Sequence, residues 1–194
     1  MPFRVVDFVQ DAIYHACNNG ARKSLLFQCS EDYQYLYQLL QTYAARCKIT
    51  VLVYCFMPDH YHLLLRQDGE IAINLFMAKV FALYSRWFNS KYSQSGTLFE
   101  GRFKAVCVDT DFLLSFLCGF IHLNPQEADL VSDPCDWPNS NCRQWVEGTG
   151  LSMSELEFIS DTFGSSEEYR DFLDAFPEIA AKCPDNILNY LLDS

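Results

Sequence analysis

Ile49-Thr50-Val51-Leu52-Val53-Tyr54-Cys55-Phe56, then Met57-Pro58-Asp59, then His60-Tyr61-His62-Leu63-Leu64-Leu65: the reading of these seventeen residues decides the fold. The first eight are apolar and rich in β-branched side chains, the pattern of a strand buried on both faces. Met57-Pro58-Asp59 breaks that run, because proline cannot donate to a sheet ladder and Asp favours turns. His60–Leu65 resumes as a second strand, so the stretch is a β-hairpin. Two histidines one residue apart on a strand point to the same side, and Tyr61 points to the other.

Working outward, Ala12–Ala16 reads as a short strand followed by a polar loop, Asn18-Asn19-Gly20-Ala21-Arg22-Lys23. In Glu31–Lys48 the apolar positions Tyr33, Leu36, Tyr37, Leu40, Tyr43 and Ala44 recur at helical spacing, with Ser30 as the expected N-cap. Ile71–Asn89 is a second helix, carrying Ile73, Phe76, Met77, Val80, Phe81, Tyr84 and Phe88 along one side. A polar loop, Ser90–Gly101, leads to a last strand at Phe103–Val108, and Asp111–Leu123 is a third helix expected to stop before Pro125. The order β-α-β-β-α-β is the split βαβ arrangement, so the expected class is α+β. It is a ferredoxin-like, RRM-like antiparallel sheet with its helices on one face. Such a sheet often serves nucleic acid, but fold alone assigns no function.

From Asp133 the composition turns to Pro, Ser, Asn and Trp, and acidic helical segments are expected at Ser152–Phe163, Ser166–Phe176 and Asp185–Leu192. The predicted organisation is a domain over residues 1–130 and an acidic C-terminal helical extension over 131–194, with the boundary near 130–150. The net charge of −11 over 194 residues weighs against a phosphate-rich partner at face value. Its distribution removes that objection. Residues 1–125 carry 11 basic and 10 acidic side chains, a net of +1, whereas residues 126–194 carry 3 basic and 15 acidic, a net of −12. The front segment is a separate electrostatic object. The tail is then either a DNA mimic lying across a basic face or an ordinary acidic appendage.

The nine cysteines form no CxxC pair, so neither a zinc knuckle nor a thioredoxin-like site is indicated; most sit in apolar runs and read as small buried hydrophobes of a reducing cytoplasm. Neither a signal peptide nor an apolar run of membrane length is visible, so the expected setting is soluble and cytoplasmic.

His60 and His62 present two imidazoles to one side of their strand, a donor pair suited to a divalent cation. The same spacing also occurs in histidines that are merely packed. Phe120 and Asn124 lie four apart on the third helix and share a face. Asn124 offers a carbonyl oxygen suited to Mg²⁺ or Mn²⁺, and spacing alone equally allows it to cap the helix before Pro125. His122 and His15 read as packed or solvent-facing residues rather than catalytic ones.

Several blocks in order resemble the REP-associated tyrosine transposases, a family of single-tyrosine HUH enzymes. Met57-Pro58-Asp59-His60-Tyr61-His62-Leu63-Leu64-Leu65 is similar to the HUH motif (His, hydrophobic, His). Tyr84–Asn89 and Gly96–Lys104 are similar to the family's middle block. Phe120-Ile121-His122-Leu123-Asn124-Pro125 is similar to its Tyr-Ile-His-Leu-Asn-Pro, and Asp136-Trp137-Pro138 to its Asp-Trp-Pro. The resemblance runs from about Ala12 to Trp145.

It implies that His60, His62 and Asn124 hold Mg²⁺ or Mn²⁺ against a phosphate of single-stranded DNA. It also implies that the residue at position 120 is the nucleophile that forms a 5′-phosphotyrosine and releases a 3′-hydroxyl. The implied partner is a hairpin-forming palindromic DNA element in a bacterial, nucleoid-associated setting; monomer and homodimer are both compatible.

Position 120 is Phe, which has no hydroxyl. Three explanations stand: a deliberate Tyr→Phe change, a natural loss that leaves a sequence-specific DNA-binding protein, or another tyrosine, Tyr61 or Tyr84, serving instead. For DNA contact the candidates are Asn18, Asn19, Arg22 and Lys23 in the first loop, Arg86 on the second helix, and Arg102 and Lys104 entering the last strand. Lys79 and Lys91 are further cations on or after the second helix. A nucleic-acid-binding module without chemistry and a metal-dependent phosphoester hydrolase are the rival readings. The first predicts binding that ignores divalent cations, and the second needs more carboxylates near the histidines than Asp59.

Overall fold

In the computed structural model, residues 7–184 are described. They comprise β1 (Ile13–Asn19), α1 (Ser30–Cys47), β2 (Ile49–Phe56), β3 (His60–Gln67), α2 (Ile73–Lys91), β4 (Lys104–Val108), α3 (Asp111–Glu127), α4 (Cys142–Glu147), α5 (Met153–Phe163) and α6 (Ser166–Ala180). The four strands form one sheet in the order β2-β3-β1-β4, with β1 antiparallel to both neighbours. This is the split βαβ sheet of the α+β class. Among the described residues no helix is long and apolar enough to cross a membrane. The expected segment Asp185–Leu192 lies outside the described residues.

The chain divides into two compact units, Met1–Val51 with Phe56–Val108, and Leu52–Cys55 with Asp109–Ser194. In the first, α1 contributes Leu36, Leu40 and Ala44 to the core, and α2 contributes Ile73, Phe76, Met77, Val80, Phe81, Tyr84 and Phe88. Both sets are single helical faces, as their spacing requires. Tyr61 of β3 stacks on Phe81 of α2 at 4.4 Å between ring centroids, so α2 covers the side of the sheet that Tyr61 faces. Asp32, its side chain fully buried, joins α1 to the end of α2. It accepts from the Gln28 and Cys29 backbone N–H groups at 2.6 and 3.1 Å, and from Lys91 Nζ at 2.7 Å. Burial pushes the Asp32 carboxyl up, yet the Lys91 ammonium and the N–H donors outweigh it and hold the group below the usual carboxylate range.

In the second unit α6 is amphipathic: Tyr169, Leu173 and Phe176 are buried while Glu167, Asp171, Asp174 and Glu178 are exposed. Phe176 lies 5.1 Å from Phe116 of α3. At Gly119 an added Cβ would fall 2.4 Å from the Phe176 ring, so α6 closes on α3 at a position only glycine fits. The acidic extension is therefore packed onto the third helix rather than hung from it. Asn141 fastens the middle of β2 into this unit: its Nδ2 donates to the Leu52 carbonyl at 2.8 Å and its Oδ1 accepts from the Tyr54 N–H at 2.9 Å.

Several boundaries differ from expectation. The N-cap of α1 is Cys29, not Ser30, because Asp32 reaches back to the Cys29 N–H in a capping box. Helix α3 runs through Pro125 to Glu127: the ring sits in the last turn, where its missing N–H forfeits a single helical bond. Strand β1 runs to Asn19, so Asn18 and Asn19 are ladder residues paired with Tyr61 and His60 rather than loop amides. Helix α4 has no counterpart in the expected order of elements. Cys17, Cys55, Cys118, Cys142 and Cys183 are buried as expected, whereas Cys29 is exposed.

Candidate metal and nucleic-acid site

Cross-strand register builds the site. His60 pairs with Asn19 and His62 with Cys17, so Asn19, Cys17, His60 and His62 share one side of the sheet, opposite to Asn18 and Tyr61. The two histidine rings lie edge to face at 5.2 Å between centroids. They are brought together as the alternation of β3 demands. Residue His15 of β1 joins them. Its Nε2 is 3.0 Å from His62 Nδ1, with ring centroids 5.2 Å apart and the two planes within 12°. His60 Nδ1 is 2.8 Å from Asp59 Oδ1 in the preceding turn.

Burial drives the His62 imidazole well below its usual range, with His15 and His60 adding to the effect, and burial alone lowers His15 to about 3. Both rings are thus neutral at physiological pH, which is the form that offers a lone pair to a metal. His60 and His62, with rings 5.2 Å apart, offer a pair of imidazole donors that suits a divalent cation. A second donor set shares His62: the ligand atoms of His15, Cys17 and His62 lie within 4.8 Å of one another, all three residues buried. The sequence marks His15 only as a packed or solvent-facing residue, because the β1–β3 register alone reveals that it adjoins His62.

Around these rings the connections are stapled to each other. The Gly20 N–H donates to the Asp59 carbonyl at 2.7 Å, and the Leu26 N–H to the Pro58 carbonyl at 2.8 Å. The Ala21 N–H donates to the Leu98 carbonyl at 2.9 Å, and the Glu100 N–H to the Asn19 carbonyl at 2.8 Å. A Cβ on Gly20 would meet the Ser24 carbonyl oxygen at 1.9 Å, so the loop closes this tightly only with glycine. Arg22 and Lys23 follow it, exposed and both at positive φ of 58° and 60°, a conformation that costs a non-glycine residue energy.

Asn18 turns away from this cluster. It is buried, accepts from the Asn19 N–H at 2.9 Å, and directs its Nδ2 to the Gly101 carbonyl at 3.4 Å. Lys104 pairs with Cys17 and takes the histidine side of the sheet, while Arg102 is exposed at the rim of a cleft of about 910 Å³. Tyr61, Phe81, Phe99 and Phe103 line that cleft. Arg86 is exposed on α2. Lys91 is committed to Glu31 and Asp32 at 2.7 Å each, which takes it out of the set of cations offered to phosphate.

Of the two tyrosines weighed as substitute nucleophiles, Tyr61 is buried on the helix side, and Tyr84 donates its hydroxyl to the Leu26 carbonyl at 2.6 Å.

In the second unit Phe120 and Asn124 are the partly exposed residues within Phe116–Pro125 of α3, one turn apart on one face. The helix is capped by Ala128, whose N–H donates to the Asn124 backbone carbonyl at 3.0 Å. The Asn124 side chain is therefore not the C-cap. His122 is fully buried: its Nε2 donates to Asn141 Oδ1 at 2.9 Å, and its Nδ1 then accepts from the Tyr169 hydroxyl at 2.6 Å. Burial lowers it to about 4, against a smaller opposing effect of Asn141. It is a packed residue, as expected.

A family model described as Transposase IS200 like matches residues 8–123. Among solved structures the fold is similar to that of a REP-associated tyrosine transposase bound to a REP hairpin. The two are 16% identical, with a TM-score of 0.66 over 78% of this chain and 88% of the other. A putative transposase from Deinococcus radiodurans R1 is 18% identical over 66% of this chain and 95% of that one, with a TM-score of 0.42. No curated protein matches the chain.

Proposed function

The chain belongs to the IS200-like transposase family, and from that premise we propose that it binds single-stranded DNA folded as a REP-like hairpin. The family reaction is metal-dependent strand cleavage and rejoining through a 5′-phosphotyrosine. With Phe120 where the nucleophilic tyrosine belongs, this polypeptide binds such DNA and does not cut it. The observation that carries the reading is a family match that spans both the His-x-His strand and the helix bearing Phe120.

By motif position His60, His62 and Asn124 would hold the cation, Mg²⁺ or Mn²⁺. When bound, it would polarise a phosphoryl oxygen as a Lewis acid. The chain's own residues do the rest. Asn19, the register partner of His60, would read a base edge, and Arg22, Lys23, Arg102 and Lys104 would neutralise backbone phosphates. Asn18 and Arg86 complete the candidate contacts, Asn18 by holding Gly101 beside Arg102. We place the catalytic apparatus within residues 1–130 and give 131–194 a supporting part, since α6 packs on α3.

Incubating hairpin oligonucleotides with Mn²⁺ and either the chain with Phe120 or its Phe120→Tyr variant tests the reading. Hairpin-dependent binding by both, and a covalent protein–DNA adduct formed only by the tyrosine variant, is the expected result. Cleavage by the chain with Phe120 in place would refute the assignment of that position, and indifference to the hairpin would refute the assigned ligand.

A further inference from the structure

A neutral imidazole carries one N–H and one lone pair, so a histidine ligates a cation only if the correct nitrogen bears the proton. Two hydrogen bonds behind the His60 and His62 rings decide this. Asp59 Oδ1, a pure acceptor when ionised, lies 2.8 Å from His60 Nδ1. His15 Nε2 lies 3.0 Å from His62 Nδ1. We propose that Asp59 and His15 are positioning residues that hold His60 and His62 as Nδ1–H tautomers and thereby assign the ligating lone pair of each ring to Nε2. The proposal rests on the metal reading of the histidine pair given above.

The geometry follows from the fold. Asp59 ends the tight turn whose carbonyl is clamped by the Gly20 N–H, so its carboxylate is delivered to the adjacent histidine by a fixed backbone. His15 is two residues before Cys17 on β1 and faces the same side, diagonal to His62. Its ring is buried and lies within 12° of the His62 plane, so the contact is an in-plane bond between ring nitrogens that a turn of either imidazole would break. The Nε2–H tautomer would aim an N–H at the cation, and a ring turned by 180° would aim Cε1–H there. Partners of this kind behind metal-ligating histidines typically contribute about 10–100-fold in metal affinity.

The test uses the full chain. Long-range ¹⁵N–¹H correlation spectra of the metal-free protein report the tautomer of each histidine. Electron paramagnetic resonance of Mn²⁺ reports affinity without DNA or turnover. Expected are Nδ1–H signatures for both rings, and Mn²⁺ affinity reduced about 10–100-fold in His15→Leu and in Asp59→Ala. Most of that affinity should return in His15→Gln and Asp59→Asn, whose amide oxygens can accept the Nδ1–H bond. Asp59 is half exposed, so its variants fold even should those at His15 not.

Nε2–H tautomers, or Leu and Ala variants that bind Mn²⁺ as tightly as the parent, would overturn the proposal. So would a Cys17→Ser change that weakens binding as much as His15→Leu, because the cation would then sit among His15, Cys17 and His62. Failure of the underlying reading has its own signature: a His60→Ala/His62→Ala variant that retains full Mn²⁺ affinity.

Discussion

Replacing Gly119 by alanine sets two effects against each other, and the structure decides the winner. In an open helix the change would stabilise by about 1 kcal/mol through helix propensity. Here the new methyl would lie 2.4 and 2.5 Å from Cδ2 and Cε2 of Phe176, and 2.9 Å from Cε1 of Phe172. A relaxed carbon contact needs about 3.5–4 Å, so the Phe176 ring must retreat by roughly an ångström. It has little room, being 2% exposed and in contact with Phe116 and Phe172. Overpacking of that kind costs about 1–3 kcal/mol, and this clash, against ring atoms, belongs at the upper end. The net is a destabilisation of about 1–2 kcal/mol after the propensity gain is subtracted. Urea unfolding followed by far-ultraviolet circular dichroism measures it. The midpoint of thermal unfolding should fall by about 2–8 °C for a chain of this length. Adding Phe176→Leu to the alanine variant should cost less than Phe176→Leu alone, since the space it opens accepts the methyl. A Gly119→Ala protein at least as stable as the parent would refute the claim that α6 closes directly on α3.

Three further outcomes follow from the buried polar groups and the exposed cations. His122 is held down to about 4 by burial, whereas an unfolded histidine titrates at about 6.5. Its contribution is complete above about pH 6.5 and drains away towards pH 4, at about 1.4 kcal/mol per pH unit and about 3 kcal/mol in all. Urea unfolding of His122→Gln at several pH values should show a shallower acid slope, and an unchanged slope would refute the assignment. Asp32→Asn removes the charge that Lys91 and two backbone N–H groups share, and should cost about 2–3 kcal/mol in chemical denaturation; a loss below about 0.5 kcal/mol would mean the cluster is ornamental. Arg102→Ala should weaken hairpin DNA binding and reduce the slope of log affinity against log salt by about 0.7–1, as measured by fluorescence anisotropy. An unaltered slope would remove Arg102 from the phosphate contacts.

The hairpin was legible because Ile49–Phe56 and His60–Leu65 are short apolar runs, the first rich in β-branched residues, separated by a proline turn, and β2 begins and ends where the first run does. The side on which His60 and His62 lie came from the same period of two. His15 was not legible, since its place beside His62 depends on a register between strands about fifty residues apart, and register is set by packing across the sheet. Asn18 and Asn19 look like loop residues by composition, yet pairing with Tyr61 and His60 overrides a weak local preference. Cys29 escapes notice as a cap because a thiol seldom serves there; the Asp32 carboxylate performs most of the capping. Pro125 misleads for the opposite reason. A proline ends a helix only where the lost bond matters, and in the final turn of α3 it matters little. In Cys142–Glu147 too few residues are present for periodicity to register.

The backbone clasp between Gly20 and Asp59 has a consequence for distance. The Asn19–His60 ladder pair, the Gly20 N–H to Asp59 carbonyl bond at 2.7 Å and the Leu26 N–H to Pro58 carbonyl bond at 2.8 Å together fix the Arg22–Lys23 corner against the Asp59–His60 corner. On the proposed reading, a strand of nucleic acid held at the first corner would meet the second at a constant offset, whatever its sequence. Which phosphate rests beside the histidines would then be a matter of counting nucleotides from that corner, and lengthening the loop by one residue would move the count rather than abolish the hold.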